Sequence, residues 1–157
     1  MLWFTVLWIV LFAVAILLMV KRQLRNRPLK SEILNDPVSY WTRALVRRRA
    51  TGRGGAGWAT FKGSTQLIVR SHSVEVSMTS SLGNLLAPGS YLRSWGATMW
   101  IDETGWLGSS IGQRQCIRLS GEDANGKVDL AVAPYGSMDD AWQALLGAGV
   151  SPIDRPS

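Results

Sequence analysis

The first twenty residues form a continuous apolar run, and the rest of the chain changes between helical and strand-like spacing. Leu2 to Val20 is nineteen residues long, and only Thr5 within it is polar. At ~1.5 Å per residue, a helix of this length covers roughly 28 Å, which matches the hydrocarbon layer of a bilayer. The pattern therefore predicts a transmembrane helix over 2–20, with Trp3 in the interfacial belt.

A cleaved signal peptide is the alternative interpretation of this run. Signal peptides carry basic residues before a shorter apolar run and small residues at a cleavage site after it. Here Lys21 and Arg22 follow the run, and Ala13–Ala15 lies inside it. Because basic flanks stay on the cytoplasmic side, we expect a single-pass protein of the cell membrane. Its N-terminus is expected outside and its C-terminal domain in the cytoplasm.

Residues 21–56 are predicted to be a basic juxtamembrane segment. Val38, Trp41 and Leu45 recur at helical spacing after an aspartate and a proline, which predicts an amphipathic helix near 37–49. Such a helix can lie on anionic lipid headgroups. The alternatives are packing of its apolar stripe on the folded domain and contact with nucleic acid. The residues expected to contact lipid are Trp41, Arg43, Arg47, Arg48, Arg49 and Arg53.

From residue 57 the hydrophobic pattern changes to a period of two, which is typical of strands. The glycine-rich stretch before it is predicted to be a flexible boundary. The irregular stretch 79–90 is predicted to be a long loop, and Asn125-Gly126 suits a tight hairpin turn. Seven short runs have strand composition: 58–62, 66–70, 73–78, 97–102, 106–109, 115–119 and 128–132.

The last element is predicted to be a helix from Met138 to about Leu146. Ser137 followed three residues later by an acidic residue resembles a capping box, and apolar residues then recur at helical spacing. The whole pattern predicts a mainly-β domain over 57–150. We expect a small antiparallel barrel or sandwich of about seven strands, with one C-terminal α-helix anchored by Trp142 and a tail at 151–157.

The strand number, the terminal helix and Trp142 resemble the pleckstrin-homology (PH) superfold, in particular the PH-like domains of bacterial membrane proteins. Lipid-binding members of that superfold carry basic residues across the first hairpin, where this chain has Lys62, Arg70 and His72. The resemblance covers about residues 57–150. The single-span layout and the Arg-rich composition also resemble small actinobacterial membrane proteins of unknown function.

Charge is distributed unevenly along the 157 residues, which carry seventeen Lys and Arg against eleven Asp and Glu. Residues 21–53 hold ten basic and two acidic residues, a net charge of +8. Residues 54–157 hold seven basic and nine acidic residues, a net charge of −2. The basicity belongs to one short segment, which excludes a globally basic nucleic-acid domain of the histone or repressor kind.

Catalytic and metal-binding chemistry is sparse in the sequence. Cys116 is the single cysteine and His72 the single histidine, so an intramolecular disulfide framework and a zinc site are excluded. The acidic pairs at 102–103, 122–123 and 139–140 fall at predicted turns or at a helix start, where carboxylates have structural roles. We predict no cofactor, no metal, no small-molecule substrate and no enzymatic activity. An enzyme of unrecognised class is a remote alternative.

The leading functional hypothesis is a membrane-anchored interaction module whose PH-like domain binds another membrane protein or an assembly. Peripheral reading of anionic lipid by the arginine-rich helix is the alternative, and nucleic acid is not expected as a partner. Four aromatic residues lie close together in the sequence and predict either a partner surface or core packing: Tyr91, Trp95, Trp100 and Trp106.

Overall fold

A computed structural model describes residues 2–50, 58–59, 64–86, 89–103, 115–124 and 126–154. The described part is mainly β, with one long helix before the strands and two shorter ones among and after them. In chain order the elements are α1 (Leu2–Leu34), β1 (Val38–Ala50), β2 (Trp58–Ala59), β3 (Thr65–Arg70), β4 (Ser73–Met78), α2 (Ser81–Leu86), β5 (Ser90–Arg93), a 3-10 turn (Ser94–Gly96), β6 (Thr98–Asp102), β7 (Cys116–Asp123), β8 (Gly126–Pro134), α3 (Met138–Gly147) and β9 (Ser151–Pro152).

The strands form one open sheet in the order β5-β4-β3-β1-β8-β7-β6-β9, with β2 paired to β1. All described pairs are antiparallel except β6 with β9. Residues 38–44 of β1 pair with β3, and residues 44–50 pair with β8. The strand β1 therefore joins two half-sheets, because each half uses a different stretch of it.

One face of the sheet, the inner face, carries the main core. Alternate side chains of a strand point to the same side, and in the central strand Ala44 and Val46 point inward and are fully buried. The sheet curls until β5 approaches β7. A Cβ atom on Gly121 would lie 3.4 Å from the Leu92 Cδ2 atom, so a residue without a side chain suits this close approach.

The helix α3 covers the open side of the curled sheet. Its Ser137 N-cap hydroxyl accepts a hydrogen bond from the Asp140 backbone N–H at 3.1 Å, and the predicted C-terminal helix is confirmed. Ala141 and Leu145 are fully buried in the main core, whereas Trp142 is half-buried against it. Trp142, the predicted anchor, therefore shares the contact with the core with these two smaller side chains.

The prediction of a transmembrane helix over 2–20 is wrong. Within the described residues, no helix combines the length and the apolar character that crossing a bilayer requires. The apolar run is not an element of its own, because α1 continues past Val20 and Pro28 to Leu34 and takes in the basic residues. The predicted single-pass membrane localisation, with the C-terminal domain in the cytoplasm, and the predicted spanning of the lipid bilayer are corrected with it.

The predicted amphipathic helix near 37–49 is also wrong, since these residues form the strand β1. The stretch fits two spacings. Its apolar residues recur at helical spacing, whereas the inward-facing Tyr40, Thr42 and Ala44 follow the strand period of two. A central strand gains hydrogen bonds from neighbours on both sides and buries its inward side chains. These long-range gains outweigh three apolar residues at helical spacing.

The predicted barrel or sandwich is corrected to the single open sheet, although most of its strands are confirmed. The pairs at 66–78 and 115–132 form hairpins, and Gly126 takes a positive φ of 111° in the second turn. The predicted loop at 79–90 instead contains α2 and the start of β5. The predicted flexible boundary at 52–57, residues 60–63, the predicted strand at 106–109 and Asn125 of the predicted turn lie outside the described residues.

Candidate functional site: a cleft beside Trp95

Trp95 lies at the centre of the 3-10 turn between β5 and β6, and 73% of it is exposed. Its neighbours fix the turn. The Ser94 backbone N–H donates to the His72 carbonyl at 3.0 Å, and the Ala97 N–H donates to the Ser94 carbonyl at 3.0 Å. Because Ser94 and Ala97 are both buried, the indole between them is held toward the outside.

Trp95 borders a cleft of about 710 Å³ between the end of α1 and the turn that joins β7 to β8. Its floor comes from small residues of β6 and β7, and its charged groups come from four separate elements. A volume of this order matches a recognition pocket. The lining residues that matter for its chemistry are Glu32, Arg93, Trp95, Glu122, Asp123 and Lys127.

A smaller cavity of about 180 Å³, which we term the side pocket, adjoins the cleft. Glu32, Arg93 and Trp95 line both spaces. The side pocket is completed by Ile33 of α1, by Asp36 in the link to β1, and by His72 and Ser73 where the turn after β3 leads into β4. One aromatic ring and one ion pair are therefore common to the walls of both cavities.

The end of α1 is docked onto the outer face of β3, β4 and β5, and this docking builds the wall of both cavities. Ile33 is buried. Arg70 donates from Nη1 to the Asp36 carbonyl at 2.9 Å, and Arg93 Nη2 lies 3.0 Å from Glu32 Oε2. The Lys30 ammonium lies 5.9 Å from the centre of the Tyr91 ring.

A buried ion pair supports the cleft from behind. Arg48 Nη2 lies 3.0 Å from Asp123 Oδ2, and the two side chains are 5% and 1% exposed. Arg48 points to the inner face of β1, opposite to the neighbouring Arg47. The ion pair thereby fixes the position of Asp123, which is the last residue of β7 and lines the cleft.

The predicted aromatic partner surface is only partly assembled. Tyr91 is buried, and this burial, with the nearby Glu75 carboxylate, raises the pKa of Tyr91 to about 12. Trp100 is half-buried on the outer face, where the Arg118 guanidinium lies 5.4 Å from its ring centre. Trp106 lies outside the described residues. Of the four predicted residues, Trp95 has the exposure that a partner needs.

The residues predicted to contact lipid are divided between the two faces of β1. Trp41 and Arg43 are exposed on the outer face, and Arg47 on that face is half-buried. The Trp41 Nε1–H donates to Gln66 Oε1 at 3.0 Å. Arg48 is buried on the inner face. The Arg49 side chain and Arg53 lie outside what the structure describes.

A second buried cluster lies on the outer face of β6, β7 and β8. Arg118 pairs with Asp129 through Nη2, and its Nη1 lies 3.8 Å from Asp102 Oδ2. The buried Cys116 Sγ lies 3.8 Å from the Asp102 carbonyl. Within the described residues, no three metal-ligating side chains meet as a metal site, and this cluster is a charge-paired packing unit.

Cys116 is expected to be slow to alkylate in the folded protein. Burial, together with the Asp102 carboxylate, raises the pKa of the Cys116 thiol from 9.0 to about 11, so the reactive thiolate is roughly hundredfold rarer at a given pH below both values. Iodoacetamide labelling at pH 8, followed by intact mass, should be complete in urea long before it is detectable without urea. Equal rates in the two conditions would contradict this burial.

Comparison with known proteins assigns no family to the chain. No protein-family model matches the chain, and no curated protein or solved structure matches it. The functional argument therefore depends on the geometry of the cleft.

Sequence reasoning missed most of the cleft. Glu32 and Arg93 are 61 positions apart, and neither belongs to a recognisable motif. Ser73 was assigned only to a strand, and Glu122 only to an acidic pair in a turn. The available signal was Trp95, which the sequence singles out as one of four aromatic residues that lie close together.

Proposed function

We propose that this chain is a non-enzymatic interaction module that binds a partner protein at the Trp95 cleft. The observation that carries the proposal is the exposed indole, held outward by buried neighbours at the mouth of a cavity of about 710 Å³. Tryptophan and arginine are the residue types that dominate binding energy at protein interfaces. Both line the cleft, as Trp95 and Arg93, which are two positions apart in the chain.

The stability of the fold gives no reason for Trp95 to be exposed. Burying a large aromatic side chain is one of the strongest contributions available to a small domain, and this one contributes little to the core. Polar groups line the same cleft, including Glu122 and Lys127, which are cross-strand neighbours in β7 and β8. An apolar centre with a polar rim is the usual anatomy of an interface.

We also propose that the domain belongs to the PH-like superfold. The feature that supports it is the arrangement of two antiparallel meanders with one amphipathic helix packed across their open side. Contact of Trp41, Arg43 and Arg47 with anionic lipid stays a prediction, and it uses a different face of the sheet from the Trp95 cleft.

The test is photo-crosslinking from the rim of the cleft in cells. With a photoreactive benzoylphenylalanine at Glu122, which is exposed, we expect a discrete adduct with a second protein. Trp95→Ala should lower the adduct yield by about tenfold or more, the loss typical of a central interface residue. Yield is measured by blotting and the partner is identified by mass spectrometry.

Trp41→Ala is the matched control, because Trp41 is also exposed, at 54%, but lies away from the cleft. It should leave the adduct unchanged. Both variants should keep the wild-type unfolding midpoint, since truncating an exposed side chain changes stability little. An adduct that persists in Trp95→Ala, or that is lost equally in Trp41→Ala, would remove the cleft from the proposal.

A further inference from the structure

We infer that the side pocket receives an arginine or lysine side chain of the partner, an inference that rests on the proposed function of the cleft. The cation would lie against the Trp95 ring and between the carboxylates of Glu32 and Asp36. The Ser73 hydroxyl completes the set of groups around the cation. This assignment names the chemistry that the partner must present at the centre of the interface.

The charge of the side pocket favours a cation, although the chain as a whole carries a net charge of +6. Two carboxylates, Glu32 and Asp36, line it against one guanidinium, that of Arg93. The main-chain oxygen of Asp36 accepts from Arg70, but within the described residues its carboxylate makes no hydrogen bond. A carboxylate in this position is available to a basic ligand and repels an acidic one.

Ser73 provides a second, independent indication of a ligand. It is 2% exposed, it lines the side pocket, and its Oγ has no hydrogen-bond partner among the described residues. Buried hydroxyl groups are nearly always satisfied, because an unmade hydrogen bond costs free energy. An N–H group of the partner's basic side chain, entering past Trp95, would supply the missing donor, since the serine oxygen can accept.

The exposed Arg93–Glu32 ion pair allows a basic side chain of the partner to enter the side pocket. Its two side chains are 48% and 65% exposed, so water and salt screen it and it contributes little to stability. An incoming guanidinium can replace Arg93 at Glu32 and gain the face of the Trp95 ring as well. Cations over an indole are attracted by the ring quadrupole, and tryptophan is the best of the aromatic residues for this contact.

The size of the side pocket indicates how much of the partner enters it. A volume of about 180 Å³ lies below the range of about 300–1,000 Å³ that is typical of small-molecule pockets. That space suits the end of one long side chain and excludes a folded segment. The partner backbone would therefore stay in the larger cleft, and only a side chain would enter.

The inference is tested with the purified full-length protein and three short peptides. The probes are acetyl-Gly-Arg-Gly-amide, its citrulline isostere, and acetyl-Gly-Glu-Gly-amide, with the Trp95 indole N–H resonance as the readout, assigned through Trp95→Phe. The arginine peptide should shift this resonance to saturation with a dissociation constant on the order of 1 mM, as expected of one side chain. The other two peptides should produce no saturable shift.

Substitutions then separate the groups of the side pocket. Glu32→Gln combined with Asp36→Asn should weaken binding of the arginine peptide by about tenfold, the effect of removing charged partners. Ser73→Ala should weaken it by roughly threefold. Glu103→Gln is the matched control, because this exposed acid lies outside both cavities, and it should have no effect.

The outcomes distinguish this inference from the proposed function. If the citrulline or glutamate peptide binds as well as the arginine peptide, or if Glu32→Gln with Asp36→Asn changes nothing, the assignment of a basic side chain is overturned. The cleft proposal is judged separately by the dependence of the cellular adduct on Trp95. An adduct lost in Trp95→Ala but unchanged in the double substitution would leave the interface in place and refute its basic ligand.

Discussion

Arg48→Ala is expected to lower the free energy of unfolding by ~3–5 kcal/mol, because it leaves a buried carboxylate without its cationic partner. The Asp123 side chain is 1% exposed and lies 3.0 Å from the guanidinium. Urea denaturation followed by tryptophan fluorescence measures the change. A loss of this size is a large share of the total stability of a small domain.

Two controls identify the cause of that loss. Arg43→Ala removes an exposed arginine from the opposite face of the same strand and should change stability by under ~1 kcal/mol. Arg48→Met with Asp123→Leu replaces both charges by apolar groups and should recover most of the stability. If Arg48→Ala unfolds at the wild-type urea concentration, the ion pair is not buried and this support of the cleft is absent.

Leu145→Ala is expected to cost ~2–5 kcal/mol, since it combines lost burial with a cavity under α3. Leu145 is fully buried in the main core, and its neighbour Ala141 is too small to fill the space. Thermal unfolding followed by circular dichroism gives the change in stability. The helix is expected to undock from the sheet in the variant.

Gln143→Ala is the control on the same helix, because Gln143 is exposed on its other side. It should alter stability by under ~0.5 kcal/mol. Equal effects of the two substitutions would mean that α3 does not pack through its Leu145 face. An unchanged melting curve for Leu145→Ala would contradict the covering of the sheet by this helix.

The parts of the fold that could be predicted from sequence are those in which local and long-range preferences agree. The hairpin around Gly126 combines strands of period two with a turn that needs a positive φ. The helix α3 has both a cap at Ser137 and an apolar stripe. The strand β1 was assigned wrongly because Val38, Trp41 and Leu45 also fit a helix, and because its gains come from β3 and β8, which follow later in the chain.

The site was less predictable than the fold for a related reason. Trp95 could be singled out as a member of an aromatic cluster in the sequence, but its exposure depends on the burial of Ser94 and Ala97. Glu32 and Arg93 become neighbours only when α1 docks on β5. No local pattern encodes that docking, so the cavities could be found only in three dimensions.

The position of β1 also decides where this domain can be divided. A fragment that starts at the predicted boundary of residue 57 omits the strand that lies between β3 and β8. Each of these strands would then present a row of unpaired backbone N–H and C=O groups, and such edges recruit other chains. The shortest unit that keeps the sheet continuous begins at Val38, ahead of the glycine-rich segment, and the side pocket adds the last turn of α1 to it.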